Sequence, residues 1–333
     1  MATSRTHIKK NTSARKIMIV GGAGFIGSKI TLKLIDLGHN VFVYDRYFNF
    51  IETGRAKYIK SLKKRLGTIG DSAVFINNDV RNNKLLMSAL LEYQPDTIVH
   101  LAQIPLANVS NKFSSEALDI NFNGLVNIIK SIGTVNFVKR LVYASSSFVY
   151  GNFKYSPADE NHPTNPIDVY GGTKLAGENI IKGFGTRFGI DYTIIRPSAV
   201  YGPTDCNKRV CQIFIENAIN DKEIILEGGG ENFLDFSYID DVAEGFVLAI
   251  LSNKAKNEIF NITRGEARSL KNLAEILKTY YPKLKSRVIP ADNTRPKRGA
   301  LNINKAKTIL GYDPKYSLEE GIKEYINYIN QND

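Results

Sequence analysis

The chain has 333 residues, of which 43% are hydrophobic and 23% charged, and its formal net charge is +11. This length and balance indicate a globular protein with a sizeable core rather than a disordered chain. No segment approaches the roughly 20 apolar residues of a membrane span, and residues 1–16 lack the apolar stretch of a signal peptide. Positive charge is spread along the chain without interleaved aromatic residues, so we expect neither a nucleic acid nor a membrane as a partner.

Two cysteines, Cys206 and Cys211, have a spacing that matches no zinc framework, so no metal site is expected. Reduced thiols are the default in a reducing compartment, and we therefore expect a cytoplasmic protein. Residues 1–15 are basic and poor in apolar side chains, which favours a flexible basic tail.

The first predicted elements lie in residues 16–30, KIMIVGGAGFIGSKI. The apolar run 17–20 predicts a strand buried on both faces, and apolar residues then recur at helical spacing up to Gly38. A glycine turn at this junction lets an anion approach the backbone amides at the helix N-terminus, and the expected anion is a dinucleotide pyrophosphate. A tight turn without a ligand is the alternative for this pattern alone. We assign the following residues of the turn to cofactor binding: Gly21, Gly24, Phe25, Ile26 and Gly27.

A second apolar run, VFVYD at residues 41–45, ends in an acid about 20 residues past the turn. At that distance Asp45 can accept hydrogen bonds from the adenosine ribose, which favours NAD over its 2′-phosphorylated form. Arg46 weakens this preference, because an arginine there could also contact a 2′-phosphate.

Helical patterns then alternate with further strand patterns, which lie at residues 73–79, 97–102, 140–146 and 191–197. This alternation predicts right-handed βαβ units, hence an α/β fold with a Rossmann-type, doubly wound parallel sheet. We expect the dinucleotide-binding domain over residues 16–196, with a return segment near 237–262, and a smaller α/β substrate-binding domain over 197–333. Ligands of such sheets lie beyond the carboxyl ends of the strands.

Tyr170 and Lys174 lie four residues apart at the start of a helical pattern, so they share one helix face. A nearby ammonium and a positive nicotinamide ring stabilise the phenolate of a tyrosine, which can then accept a hydroxyl proton. An isolated pair of this kind is more often a surface Tyr and Lys. The serine run at 145–147, which ends a predicted strand, changes this, because a hydroxyl there could hydrogen-bond a reacting C–O group.

These motifs resemble the extended short-chain dehydrogenase/reductases of the nucleotide-sugar epimerase and dehydratase family, from Lys16 to about Ile329. The matching segments include GGAGFIG, NDVRN, HLAQ, NFNGLVN, ASSSFVYG, YGGTK, RPSAVYGP, DFSYIDDVAEG and KAKTILGYDPKYSLEEGI. The resemblance implies that Tyr170, Lys174 and Ser146 are catalytic, with Ser147 as the neighbouring substitute for Ser146. It implies further cofactor contacts, made by Asp79, Val80, Leu101, Ala102, Gln103, Asn121, Ser145 and Pro197 besides Tyr170 and Lys174.

Departures from the family pattern also carry information. Ser147 and Phe148 stand where the sugar-nucleotide dehydratases resemble one another in an Asp-Glu pair, and neither can act as an acid or base. Leu234 and Ala199 replace an arginine and an asparagine that usually help to bind the substrate phosphates. The arginines that remain as diphosphate ligands are Arg209 and Arg295, with ordinary surface arginines as the alternative reading.

The function that the resemblance implies is an NAD-dependent nucleotide-sugar 4-epimerase that acts through a transient 4-keto sugar, as a homodimer. One alternative is an NAD(P)-dependent 4-keto-deoxysugar nucleotide reductase or a dehydratase. Another is a non-catalytic dinucleotide-binding protein, since a fold does not determine function. The sequence does not name the sugar or the base, because glucose, glucuronate and N-acetylhexosamine epimerases share these motifs.

Overall fold

The computed structural model describes residues 13–50, 56–292 and 295–332. The strands are β1 (Lys16–Val20), β2 (Asn40–Asp45), β3 (Val74–Asn77), β4 (Thr97–His100), β5 (Arg140–Ala144), β6 (Asp191–Arg196), β7 (Val200–Tyr201), β8 (Ile224–Glu227), β9 (Phe233–Asp235), β10 (Ser237–Tyr238), β11 (Glu258–Asn261), β12 (Ala267–Ser269) and β13 (Ser286–Ile289). The helices are α1 (Phe25–Asp36), α2 (Ala56–Ile69), α3 (Asn83–Tyr93), α4 (Ala107–Lys112), α5 (Ser114–Leu118), α6 (Gly124–Ile132), α7 (Val169–Phe188), α8 (Val210–Ile219), α9 (Ile239–Leu251), α10 (Leu270–Tyr280), α11 (Asn304–Leu310) and α12 (Leu318–Asn332).

The central sheet contains seven parallel strands in the order β3, β2, β1, β4, β5, β6, β11. In β1, Ile17 and Ile19 pack into one core, whereas Met18 and Val20 pack into a second core on the other face. Helices α1 and α9 cover the first face, and α3 and α6 cover the second. The predicted α/β fold with a doubly wound parallel sheet is therefore confirmed.

The chain returns to this sheet after residue 197. Strand β11 pairs with β6 in parallel, and α9 packs against α1, so part of the segment 237–262 belongs to the central layer structure. The other strands after β6 form three two-stranded sheets, β7 with β10, β8 with β13 and β9 with β12. The domain boundaries themselves stay a prediction.

The predicted runs 17–20 and 41–45 end with β1 and β2, whereas the four later strand patterns extend beyond the carboxyl ends of their strands. Residues 78–79, 101–102 and 145–146 lie in the loops that follow β3, β4 and β5. These loops leave the same edge of the sheet, because parallel strands end together. The candidate residues of the sequence analysis therefore gather at this edge.

Of the predicted tail, residues 1–12 lie outside the described residues, but Arg15 is anchored. Its guanidinium donates to the carbonyls of Ile250 and Leu251 at the end of α9, at 3.0 Å each. Within the described ranges, no helix has the length and apolarity needed to cross a membrane, and no cluster of three metal-ligating side chains occurs. Both cysteines are buried free thiols.

Candidate functional site

The turn between β1 and α1 leaves no room for side chains. Gly21 has φ of +90°, and a Cβ added there would lie 2.6 Å from the backbone nitrogen of Ala102. A Cβ on Gly27 would lie 2.3 Å from the Gly21 oxygen. Helix α1 begins without a side-chain cap and without an acid in its first turn, so its free amides form a cradle for an anion.

This turn forms one wall of a cleft that encloses about 1070 Å³, including its opening to solvent. The structure brings most of the predicted cofactor residues together in its lining. They are Gly21, Gly24, Phe25, Ile26, Gly27, Asp45, Arg46, Asp79, Val80, Leu101, Ala102 and Gln103, joined by Arg209. A dinucleotide fits both the shape of the cradle and the polar groups around it.

Asp45 is held in place by backbone amides. Its Oδ1 accepts from the Tyr47 amide at 2.8 Å and its Oδ2 from the Ala23 amide at 3.1 Å. Burial raises the pKa of Asp45, while these bonds and the charges of Arg65 and Arg46 favour the carboxylate. Arg65, a buried residue of α2, was missed by the sequence analysis, because nothing in the helical pattern distinguishes it from the lysines around it.

Arg46 faces Asp79 and two aromatic rings. Its NH1 lies 2.8 Å from Asp79 Oδ2, and its guanidinium centre is 4.5 Å from the ring of Phe48. Burial opposes the charge of Asp79, but hydrogen bonds from Arg81 and the charge of Arg46 outweigh it and lower the pKa of this carboxyl. Arg46 is thus engaged by a carboxylate at this end of the cleft, which reduces its ability to bind a 2′-phosphate.

The predicted catalytic residues lie where α7 meets the end of β5. Tyr170 and Lys174 share one face of α7, with only 6% and 2% of their surfaces exposed. Burial raises the pKa of Tyr170, whereas a hydrogen bond with Ser146 and the charges of Arg209 and Arg298 lower it. Ser146 is the second residue after β5, and its side chain hydrogen-bonds that of Tyr170.

Lys174 is buried behind Tyr170. Its Nζ donates to the Ala144 carbonyl at 2.5 Å and lies 4.8 Å from the ring centre of Tyr143. Burial lowers the pKa of Lys174 to about 7, and the charge of Glu178 opposes that shift. Its ammonium therefore loses a proton more readily than that of a solvent-exposed lysine.

Asn121 ties the loop after β4 to α7. It lies in a π-helical turn, Asp119–Asn123, of the kind often found at functional sites. Its Oδ1 accepts from the Ile104 amide at 2.8 Å, and its Nδ2 donates to Thr173 Oγ1 at 3.5 Å. Asn121 thus positions the residue before Lys174 and does not line the cleft described above.

Ser145 differs from its neighbours, because its hydroxyl points into the protein. It donates to Glu178 Oε1 at 2.5 Å, and the same carboxylate is bound by Arg196 at 2.9 and 2.6 Å. Glu178 and Arg196 form a fully buried ion pair that the sequence analysis missed. No local signal distinguished them, because α7 and β6 also contain other charged residues. The hydroxyl hydrogen of Ser145 is thus engaged by Glu178, and a contact of this residue with the cofactor stays a prediction.

Ser147 and Pro197 join the ends of β5 and β6. The Ser147 amide donates to the Pro197 carbonyl at 3.0 Å, which holds the serine run in register with the next strand. Ala199, where the family has asparagine, adopts φ of +36°, a left-handed conformation that asparagine tolerates better than alanine. Leu234 lies on β9, opposite Arg268 of β12.

The three arginines near the site have different surroundings. Arg209 NH1 donates to Asp205 Oδ1 at 2.9 Å, and its side chain lines the cleft. Arg295 is 58% exposed and paired with Glu227 at 3.0 Å and Asp292 at 3.2 Å. The structure therefore does not bring Arg295 to the catalytic group.

Arg298 approaches that group instead. Its NH1 lies 3.5 Å from Ser147 Oγ, and its guanidinium centre is 4.3 Å from the ring of Phe148, which packs edge-on against Tyr170. Burial lowers the pKa of Arg298 to about 10. Nothing in the sequence distinguishes Arg298. It lies three positions after Arg295 in a segment without regular structure, where no periodicity shows which side chain points inward.

The model of the NAD dependent epimerase/dehydratase family matches residues 17–263 of the chain. A protein from Methanocaldococcus jannaschii is 33% identical over 95% of this chain and 99% of its own length. The UDP-glucose 4-epimerase from Halalkalibacterium halodurans is 28% identical over 94% and 95%.

Two solved structures have the same fold over nearly their whole length. The UDP-glucuronic acid 4-epimerase from Bacillus cereus, in complex with UDP-glucuronic acid and NAD, is 27% identical with a TM-score of 0.87, covering 95% of this chain and 99% of that one. The UDP-glucose 4-epimerase from Thermotoga maritima, with UDP-glucose, is 29% identical with a TM-score of 0.84, covering 95% and 98%.

Proposed function

Because the chain belongs to the NAD dependent epimerase/dehydratase family, we propose that it is an NAD-dependent nucleotide-sugar 4-epimerase acting on a UDP-sugar. The observation that carries this proposal is the buried group of Tyr170, Ser146 and Lys174 at the carboxyl edge of the sheet, the edge that also carries the glycine turn. The charge of Arg209, which lines the cleft beside that turn, acts on Tyr170. A protein that only bound a dinucleotide would have no use for such a proton-transfer group, which argues against the non-catalytic alternative.

The cofactor pyrophosphate would lie on the amides of the turn between β1 and α1. Asp45 would bind the adenosine ribose, and Asp79 and Val80 would lie beside the adenine. Leu101, Ala102 and Gln103 would line the middle of the cleft. NAD, when bound, supplies the reversible acceptance of the hydrogen that the sugar loses from carbon 4.

Tyr170 would remove the proton of the sugar 4-hydroxyl and return it after the sugar has turned. Ser146 would hydrogen-bond the same oxygen and hold it in line with the phenol. Lys174 would stabilise the phenolate by its charge and hold the nicotinamide ribose. Burial of all three excludes water, so the transient ketone would be protected while the sugar presents its other face.

We propose that Arg298 binds the substrate diphosphate, with its guanidinium placed on Phe148 beside the reacting group. Guanidinium suits this role, because it can donate two parallel hydrogen bonds to phosphate oxygens. Arg295, which is exposed and paired with two carboxylates, is a weaker candidate than the sequence indicated.

Dehydration and decarboxylation receive less support. Ser147 and Phe148 occupy the positions of the acidic pair, and the Phe148 ring packs on Tyr170 at 5.5 Å, so no carboxyl group is offered there. The preference for NAD argues against a reductase that consumes NADPH. A cytoplasmic location and a homodimer also stay proposals. The buried free thiols favour the first, and exposed apolar side chains such as Phe113 and Leu118 favour the second.

The test is a substrate panel. Purified protein with NAD is incubated separately with UDP-glucose, UDP-glucuronate and UDP-N-acetylglucosamine, and the products are identified by NMR. We expect one of the three to give its C4 epimer until equilibrium is reached. A 4-keto-6-deoxy or decarboxylated main product, or no conversion of any of them by NAD-loaded protein, would contradict the proposal.

A further inference from the structure

The loop of residues 202–209 connects β7 to α8 and has an unusual backbone. Thr204 and Lys208 both adopt positive φ, at 68° and 52°, which residues other than glycine adopt only rarely. Such conformations persist where the surrounding structure holds them in place. The contacts of this loop should therefore show what it is shaped to do.

Asp205 organises the loop from inside. It is buried, and its Oδ1 accepts hydrogen bonds from the Asn207 amide at 3.1 Å and from the Asn207 Nδ2 at 2.9 Å. The same oxygen accepts from Arg209 NH1 at 2.9 Å. The carboxylate thus fixes the direction of the Arg209 side chain, of which 18% remains exposed.

Arg209 is directed toward the glycine turn. Its guanidinium centre lies 5.7 Å from the ring of Phe25, the first residue of α1, and its side chain lines the same cleft as the turn. Arg298 lies instead on Phe148 and near Ser147. The two cations therefore contact different residues, Arg209 beside the α1 N-terminus and Arg298 beside Phe148 and Ser147, although the charge of each also acts on Tyr170.

The loop is also bonded to the segment that follows β2. Asn49 Nδ2 donates to Asn207 Oδ1 at 3.3 Å, and Arg65 NH1 of α2 donates to the Thr204 carbonyl at 3.3 Å. Asn49 and Arg65 line the cleft together with Asn207. The loop thus bridges from the start of α8 to the α2 side of the cofactor cleft.

We propose that Arg209 binds the pyrophosphate of the dinucleotide and that loop 202–209 closes this cofactor into its cleft. The inference rests on the proposed function, because it requires a dinucleotide in the cleft. It also moves Arg209 from the substrate diphosphate, where the sequence placed it, to the cofactor. Asp205 accepts from NH1 of Arg209, and the guanidinium has further N–H donors, so it can add charge-assisted hydrogen bonds to those of the turn amides, which carry only partial charges.

The experiment measures cofactor and substrate binding separately. Protein loaded with NAD is transferred to buffer with excess competing ADP-ribose, and the release rate of NAD is followed. UDP affinity of the loaded protein is measured by calorimetry. The variants are Arg209→Ala and Asp205→Asn, which keeps the arginine but weakens its anchor. Lys208→Gln is the matched control, because it removes a charge from an exposed position of the same loop.

We expect Arg209→Ala to release NAD about tenfold to a hundredfold faster, as for loss of a charged hydrogen bond, while UDP affinity changes less than about threefold. Asp205→Asn should give a smaller acceleration, and Lys208→Gln should match the wild type. Weakened UDP binding with unchanged NAD release would overturn the inference and return Arg209 to the substrate. An unchanged NAD release rate together with an unchanged UDP affinity in Arg209→Ala would overturn the inference as well. A wild-type protein that holds no NAD at all would instead overturn the proposed function.

Discussion

As the proposed base, Tyr170 faces two opposing demands, because it must be shielded from water and yet lose its proton. Burial raises the pKa of its hydroxyl, which by itself would make the phenol a poor base. The hydrogen bond with Ser146 and the cations Arg209 and Arg298 offset this effect in part, and the pKa stays raised in the protein without ligands. The surroundings of one side chain thus determine whether proton transfer can occur here.

Replacing Tyr170 by Phe removes only the hydroxyl, so the fold and NAD binding should survive. General acid–base catalysis typically contributes 10²–10⁴-fold, and we expect kcat to fall by at least about a hundredfold. Ser146→Ala should cause a smaller loss, since it removes one hydrogen bond to the reacting oxygen. Single-substrate kinetics on NAD-loaded variants measure both effects. Near-normal turnover of Tyr170→Phe with cofactor still bound would show that another group is the base.

At the scale of elements, the segment around Arg298 is held from both sides. The Lys297 amide donates to Asn152 Oδ1 at 2.8 Å, and the Lys297 carbonyl accepts from the Phe153 amide at 2.9 Å. After Arg298, the Leu301 amide donates to Asp235 Oδ2 at 3.0 Å. Burial raises the pKa of Asp235 to about 6, while four donors from two segments, residues 263–265 and Leu301, hydrogen-bond its carboxylate. These anchors bring Arg298 inward and leave Arg295 exposed.

This geometry predicts that the two arginines differ in their effect on catalysis. Arg298→Ala should raise KM by about tenfold to a hundredfold with a smaller change in kcat, because phosphate contacts are similar in the ground and transition states. Arg295→Ala is the matched control and should leave KM within about threefold. Initial-rate kinetics with the UDP-sugar compare the two. A larger KM effect for Arg295→Ala would restore the assignment made from the sequence.

For the whole molecule, the sequence was sufficient to predict the structure in those segments where the local residue pattern agrees with the global fold. The apolar run before Gly21 and the acid at Asp45 predicted the sheet and one wall of the cleft. The pair Tyr170 and Lys174 predicted a helix face, which the structure places on α7. Patterns of this kind report burial and helix face, which follow from chain periodicity. The family resemblance was confirmed by the match over residues 17–263.

The sequence did not predict the direction of a side chain where tertiary packing determines it. Ser145 and Ser146 are adjacent, yet one hydroxyl bonds Glu178 inside the protein and the other bonds Tyr170. Arg295 and Arg298 lie in a segment without regular structure, so only the anchors on Asn152 and Asp235 decide which one enters the site. The contacts of Lys297 with Asn152 and of Leu301 with Asp235 join residues more than 60 positions apart, and no local pattern encodes them.

The central claim is that the protein inverts carbon 4 of a UDP-sugar. It would remove the hydrogen bound to that carbon and return the same hydrogen to the other face. The most direct test is to run the reaction in D₂O and examine the product by NMR and mass spectrometry. We predict a C4 epimer without deuterium at carbon 4 or carbon 5, since the hydrogen of carbon 4 returns to the same carbon and no residue deprotonates carbon 5. Deuterium at either carbon of the product would contradict this account.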